Sequence, residues 1–169
     1  MAKTAPSPNT AEITVEVADP LSSDAQACMD AYFAELQARF TEGFDPHRSV
    51  SATPEELRPP AGYLLIARLG ARVIGCGGLK IEGHGYGEIK RMWVSPTARG
   101  AGVAQRLLDA LEMQAAEVGL DVIRLDTHRS LTAAQRLYVR NGYREIEAYN
   151  ANPYAHYWYE KRGIKALRP

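Results

Sequence analysis

The sequence predicts an α/β fold built on one mixed, mostly antiparallel sheet with helices on both faces, and three observations predict it. Apolar residues recur with period two or with period three to four in the order strand, helix, three strands, helix, strand, helix, two strands. The three consecutive strands are joined by segments too short for crossovers, which makes them an antiparallel meander. Residues 88–127 then read strand–helix–strand, a unit that pairs in parallel with a right-handed crossover.

Each element has its own signal. Ile13, Val15 and Val17 alternate in 12–18, a half-buried strand. From about Ser22 to Phe40, Ala25, Cys28 or Met29, Tyr32, Leu36 and Phe40 recur at helical steps. Residues 42–60 are rich in proline and charge and read as a loop, with a short helix near Pro54 to Leu57. Residues 62–69 and 72–81 are strands around a tight Gly70-Ala71 turn, and 82–87 turns the chain into the strand 88–94. Val103, Leu107, Leu111 and Val118 mark one face of a helix over 102–118, with Gly119 as its C-cap. Residues 121–127 form a strand. A helix with Ser130 as cap follows through Leu131, Ala134, Leu137 and Tyr138, and Asn141-Gly142 stops it. Residues 143–149 and 154–161 close the sheet. The reading is a leader over 1–11, a single domain over 12–163 and a tail over 164–169.

The composition excludes several classes. Twenty basic residues balance twenty acidic ones, so no overall charge draws the chain to nucleic acid or to an anionic membrane. No stretch reaches the ~18 to 20 apolar residues of a membrane span. Residues 1–11 lack the apolar run of a signal peptide, so a cytoplasmic location is expected. Cys28 lies in an apolar helical pattern and Cys76 in a Gly-rich strand; both read as packing thiols, with a single disulfide as the other possibility. His84, His128 and His156 have no metal-like spacing with cysteines or carboxylates and read as surface or packing residues, so no metal site is expected.

The chemistry is concentrated in RMWVSPTARGAGVAQRLL, residues 91–108. Arg99, Gly100, Ala101, Gly102, Val103 and Ala104 fall where a strand becomes a helix. A helix start presents about four N–H groups without backbone partners, and their dipoles favour an anion. Small residues keep side chains out of its path, and Arg99 adds a charge-assisted contact. A pyrophosphate fits such a site; a turn that merely needs small residues is the plainer reading. The Gly-Lys-Ser/Thr of a Walker loop is absent, and so is GxGxxG.

Taken together, the element order over residues 12–163, the Arg99…Gly102…Ala104 run, Val94-Ser95-Pro96 before it, and AAQRLYVRNGYREI at 133–146 resemble the GNAT superfamily of N-acetyltransferases, small bacterial members above all. The resemblance implies acetyl-CoA, or another short acyl-CoA, with its pyrophosphate on the amides of Arg99 to Ala104 and its pantetheine arm beside Met92, Trp93 and Val94. It also implies that this strand splays from 121–127. Many members carry an asparagine where this chain has Leu131; Thr127, His128, Thr132 or a water could replace its contact.

Acyl transfer to an amine needs a proton acceptor for the amine and a proton for the departing thiolate. The resemblance makes Glu88 the candidate base, acting directly or through water, with Asp126 and Glu147 as further carboxylates near strand ends. It places the Tyr138 hydroxyl near the sulfur as candidate acid. The acceptor pocket is expected from the first helix, its following loop and the late strands, which points to Tyr32, Phe44, Arg48, Arg91, Tyr149, Asn150 and Tyr157. In a regular strand, side chains 88, 90, 92 and 94 share a face, and a bulge would break that parity.

The expected activity is N-acetyl transfer to a primary amine of a small molecule or amino acid, by direct attack through a ternary complex. The alternatives are a protein lysine or N-terminal acetyltransferase, and an acyl-CoA-binding regulator without turnover. The expected partner is a small-molecule amine, with no nucleic acid and no membrane, and a homodimer is possible.

Overall fold

A computed structural model describes residues 12–49 and 52–169. The expected leader, 1–11, lies outside the described residues. The elements are β1 (Ile13–Ala18), α1 (Ser23–Arg39), β2 (Gly62–Leu69), β3 (Arg72–Ile81), β4 (Tyr86–Val94), α2 (Val103–Glu117), β5 (Val122–Thr127), α3 (Thr132–Arg140), β6 (Arg144–Ile146) and β7 (Tyr157–Arg162), with short 3₁₀ turns at Glu55–Leu57, Pro96–Ala98 and Ile164–Leu167. They build one seven-stranded sheet in the order β1-β2-β3-β4-β5-β7-β6. All neighbours are antiparallel except β4 and β5.

The two faces of the sheet are covered by different helices. α2 buries Val103, Leu107, Leu108 and Leu111 against Leu65, Ile74, Leu79, Ile89, Ile123 and Leu125, and Leu137 and Tyr138 of α3 join that core. α1 buries Ala25, Cys28 and Met29 with Leu57, Leu64, Ile66 and Cys76 on the opposite face. Burial of this kind stabilises by ~25 cal/mol per Å² of apolar surface, which is why both patterned faces are spent on the sheet. Ser22 caps α1, its hydroxyl accepting from the Ala25 amide at 3.3 Å, and Asp24 and Arg39 suit the helix dipole. Both cysteines are free thiols and buried. Ile164 is fully buried, so packing extends past residue 163.

Several expectations change. Residues 143–149 hold only the three-residue β6, and β7 begins at Tyr157 rather than 154. Side-chain-to-backbone bonds turn the chain between them: Asn150 Oδ1 accepts from the Asn152 amide, and Asn152 Oδ1 from the Tyr154 amide. Such local bonds compete with strand pairing. Ser130 does not cap α3. Leu131 holds the N-cap position without a side-chain bond, and the Ser130 hydroxyl bonds His128 instead. Val118 is 38% exposed beyond the end of α2, and Leu120 is buried in its place.

The largest change is in β4. Arg91 adopts a left-handed backbone, φ 56°, and the pairing of β3 with β4 slips between Cys76 and Gly78. One residue of β3, Gly77, therefore faces two of β4, which is a bulge. Parity flips across it. Glu88 and Lys90 lie on the α1 face, whereas Met92 and Val94 pack into the α2 core, so the four do not share a face. Gly77 is needed here because a Cβ on it would lie 2.9 Å from Leu111 and 3.1 Å from the Met92 sulfur. Before the bulge, β4 pairs with β5 only over Tyr86–Glu88 against Val122–Arg124. Beyond that the two strands separate, and the functional site lies in the gap.

Candidate active site

A cleft of ≈ 510 Å³ runs from the splayed half of β4 to the start of α2. Met92, Trp93 and Val94 form one side, and Arg99, Gly100, Gly102, Val103 and Ala104 its far end. Ala101 stands outside the lining and packs against the α2 core. Gly100 and Gly102 have φ 85° and 78°, a conformation that glycine adopts without the steric cost of a Cβ. A Cβ at either would meet nothing within 4 Å, so the loop is open on its outer side. Among the described residues, no backbone carbonyl accepts from the amides of residues 99–105. An array of unpaired N–H groups at a helix start, facing an open cleft, suits phosphate oxygens.

Charge reinforces the array. Arg39, Arg99, Arg136 and Arg140 line the same cleft, with Glu35 as the one carboxylate among the described residues. The Arg99 guanidinium bonds Glu35 and donates to the Val94 carbonyl at 3.2 Å, which fixes it across the cleft mouth. Arg39, Arg136 and Arg140 went unassigned in the sequence, although Arg136 and Arg140 stand four apart on one helix and so share a face.

A smaller pocket of ≈ 90 Å³ opens from the same gap on the α1 side. Its walls include Tyr32, Phe40, Phe44, Lys90, Arg91, Asp126, His128, Tyr138 and Tyr154. Tyr32, Leu36, Met92, Leu131 and Ala134 line both spaces, so the two adjoin. The Tyr138 ring is buried against Tyr143 and Tyr159, and no described residue takes a hydrogen bond from its hydroxyl. Burial and the Asp126 charge push its phenol well above the ordinary range, as burial does for Tyr32. Both phenols therefore stay protonated donors. Arg91 stacks over Phe33 at 5.6 Å and donates to the Ala52 carbonyl. Burial lowers its pKa from the usual guanidinium value.

The loop after α1 is fastened over this pocket. His128, stacked on Phe40 at 3.7 Å, faces the Glu42 carboxylate through Nε2 at 2.9 Å. Its Nδ1 accepts from the Ser130 amide at 3.0 Å, which leaves Nε2 as the donor to Glu42. Farther on, the Asp45 amide donates to the Tyr154 hydroxyl at 2.8 Å. His128 is thus a buried wall residue that its sequence context did not announce, because its partner lies 86 positions away.

The other expected site residues are placed as follows. Glu88 is buried at 3% exposure and lines neither space. Lys90 Nζ lies 2.9 Å from one of its oxygens, and the Tyr149 hydroxyl donates to the other at 2.6 Å. Tyr149 is therefore a cover for Glu88 rather than a pocket wall, and Arg124 stacks on it at 5.4 Å. Asn150 also stands behind the pocket, donating to Asp126 at 2.7 Å and accepting from Trp158 at 3.0 Å. Tyr157 pairs with Thr127 and packs toward the α2 core. Arg48 is exposed in the loop and outside both spaces. Among the described residues, no group of three His, Cys, Asp or Glu could hold a metal, and no helix is long and apolar enough to cross a membrane.

The chain matches the Acetyltransferase (GNAT) family over residues 29–143, and it belongs to that family. Among individual relatives, it is 39% identical over 90 residues to a protein named IAA acetyltransferase from Azospirillum brasilense; the alignment spans 53% of this chain and 59% of that protein. A Klebsiella pneumoniae structure assigned as an acyl-CoA N-acyltransferase superposes with a TM-score of 0.72 at 27% identity, covering 92% of this chain and 99% of that one. A Bacillus anthracis acetyltransferase solved with acetyl coenzyme A shares the fold at a TM-score of 0.57 and 21% identity, over 67% of this chain and 69% of that one.

Proposed function

We propose that the protein transfers an acetyl group from acetyl-CoA, or another short acyl-CoA, to the primary amine of a small molecule, by direct attack with both molecules bound. The observation that carries this reading is the adjacency of the two spaces: a cleft of ≈ 510 Å³ lined by arginines and a glycine-rich helix start shares five wall residues with a polar and aromatic pocket of ≈ 90 Å³ at the splay of β4 and β5. The cleft suits acetyl-CoA on its own features, because the unpaired amides of residues 99–105, the open faces of Gly100 and Gly102 and the arginines match a pyrophosphate. When bound, acetyl-CoA supplies an electrophilic thioester carbonyl. The chain supplies the rest. Backbone groups of Met92 to Val94, freed from β5 by the splay, line the side along which the acyl arm would lie. Tyr138, kept neutral by burial, gives its hydroxyl proton to the departing sulfur.

The small pocket, roofed by a loop with two fastenings, favours a small acceptor over a lysine or N-terminus of a protein, which calls for an open groove. A screen of thiol release from acetyl-CoA across small amines, amino acids and peptides tests the reading. Amine-dependent release, strongest with a small amine, is expected. Release with peptides alone would point to a protein acceptor, and CoA binding without release to any amine would point to a regulator.

A further inference from the structure

We infer that Asp126 is the carboxylate that receives the acceptor's amine and takes its proton. The inference rests on the acetyl-transfer reading above and assigns that site its base. Asp126 is the last residue but one of β5, two residues past the last rung shared with β4, and it lines the small pocket. Two amides hold it from behind: Asn150 Nδ2 at 2.7 Å to one oxygen and Asn152 Nδ2 at 3.1 Å to the other. Each oxygen has further lone pairs, so the carboxylate is fixed in orientation without being saturated. Glu88 is the contrast, since a lysine and a tyrosine close over it and it borders neither space.

The ammonium form of a primary amine dominates near neutral pH, and an ammonium has no lone pair with which to attack. Asp126 attracts that cation to the pocket and accepts one proton from it. The nitrogen then bonds to the acyl carbon as the carbon–sulfur bond breaks. The Tyr138 hydroxyl gives its proton to sulfur and regains one from the nitrogen. The products are an amide, a free thiol and one proton, which Asp126 returns to solvent.

The titratable and charged groups around Asp126 are Tyr32 of α1, Lys90 and Arg91 of β4, His128, Tyr138 of α3, and Tyr149 and Tyr154 from the segment before β7. All are retained in Asp126→Asn, so the difference between the two pH profiles isolates the one carboxylate. Benzylamine is the probe, because it joins a primary amine to a ring that suits the wall of Phe40, Phe44 and Tyr154. For Asp126→Asn, kcat/KM should fall by about 100-fold near pH 6.5, a general-base effect, and recover in part as pH rises and free amine accumulates. Benzylamine affinity measured by calorimetry with CoA present should fall about tenfold, as expected for a lost ion pair at a desolvated site, while CoA affinity stays. Asn152→Ala, which loosens the same segment but keeps the carboxylate, should lower the rate without changing the shape of the profile. Parallel profiles for wild type and Asp126→Asn, or a loss confined to CoA affinity, would overturn the assignment. If the wild type binds benzylamine without acetylating it or any other amine, the acetyl-transfer reading fails; unchanged benzylamine affinity in Asp126→Asn would separately defeat the role of Asp126.

Discussion

Glu88 and Asp126 lie on neighbouring parallel strands, on the same face of the sheet, on either side of the point where the strands part. Below that point β4 and β5 are paired, and Glu88 is closed in by Lys90 and Tyr149. Above it the strands separate, and Asp126 faces a pocket. Two carboxylates of similar chemistry are thus given different work by the geometry of the sheet. A buried charge with partners on both oxygens holds structure together, while a charge anchored from behind and open in front can meet a ligand.

Substitutions can break or sharpen this contrast, and the largest effect is expected at the closed carboxylate. Glu88→Gln removes the carboxylate charge that lies 2.9 Å from the buried Lys90 ammonium, so the fold should lose ~3 kcal/mol. Denaturant titration reads that loss. The folded fraction should keep a pH profile of turnover parallel to wild type, in contrast to Asp126→Asn; a loss concentrated at low pH would restore Glu88 as the base. Tyr138→Phe acts in the open half. Its ring can still pack between Tyr143 and Tyr159, so stability and CoA affinity should hold while turnover falls by about 100-fold, the lower end of general-acid effects. A wild-type rate where chemistry limits would remove Tyr138 from the reaction.

Gly102→Val tests the far end of the cleft. The substitution forces a branched side chain into φ 78°, at a cost of about 1–2 kcal/mol if the loop holds its shape. CoA affinity should fall about tenfold in calorimetry, and unchanged affinity would remove the pyrophosphate from this loop. The smallest effect belongs to the strap over the pocket. Its own backbone amide and the His128 contact hold the Glu42 carboxyl down at about 2. A depressed carboxyl adds stability above its ordinary pKa near 4.5 and loses it as pH falls toward about 2. Acid unfolding of Glu42→Gln should therefore match wild type near pH 2 and fall slightly short of it above about pH 4.5, a difference that solvent screening keeps small.

The fold was legible because its apolar periods were clean. The α1 cap at Ser22, the α2 start after Gly102 and the stop at Asn141-Gly142 all stand where turn and cap chemistry puts them. The glycine-rich junction before α2 was legible for the same reason: it is a local feature. What escaped was non-local. Strand parity cannot reveal a bulge, because Arg91 takes its left-handed turn only where Gly77 lets Met92 and Leu111 close in. The asparagines between β6 and β7 that hold Asp126 look like ordinary turn residues until β5 is brought beside them. His128 gains its meaning from Glu42 in the same way.

The central claim is that acyl donor and amine meet together at the parting of β4 and β5. Initial rates of thiol release, measured while acetyl-CoA and one accepted amine are varied together, test it most directly. Double-reciprocal lines that intersect are predicted, since the amine attacks with the donor still bound. Parallel lines, the mark of an acylated enzyme that has already released CoA, would contradict it.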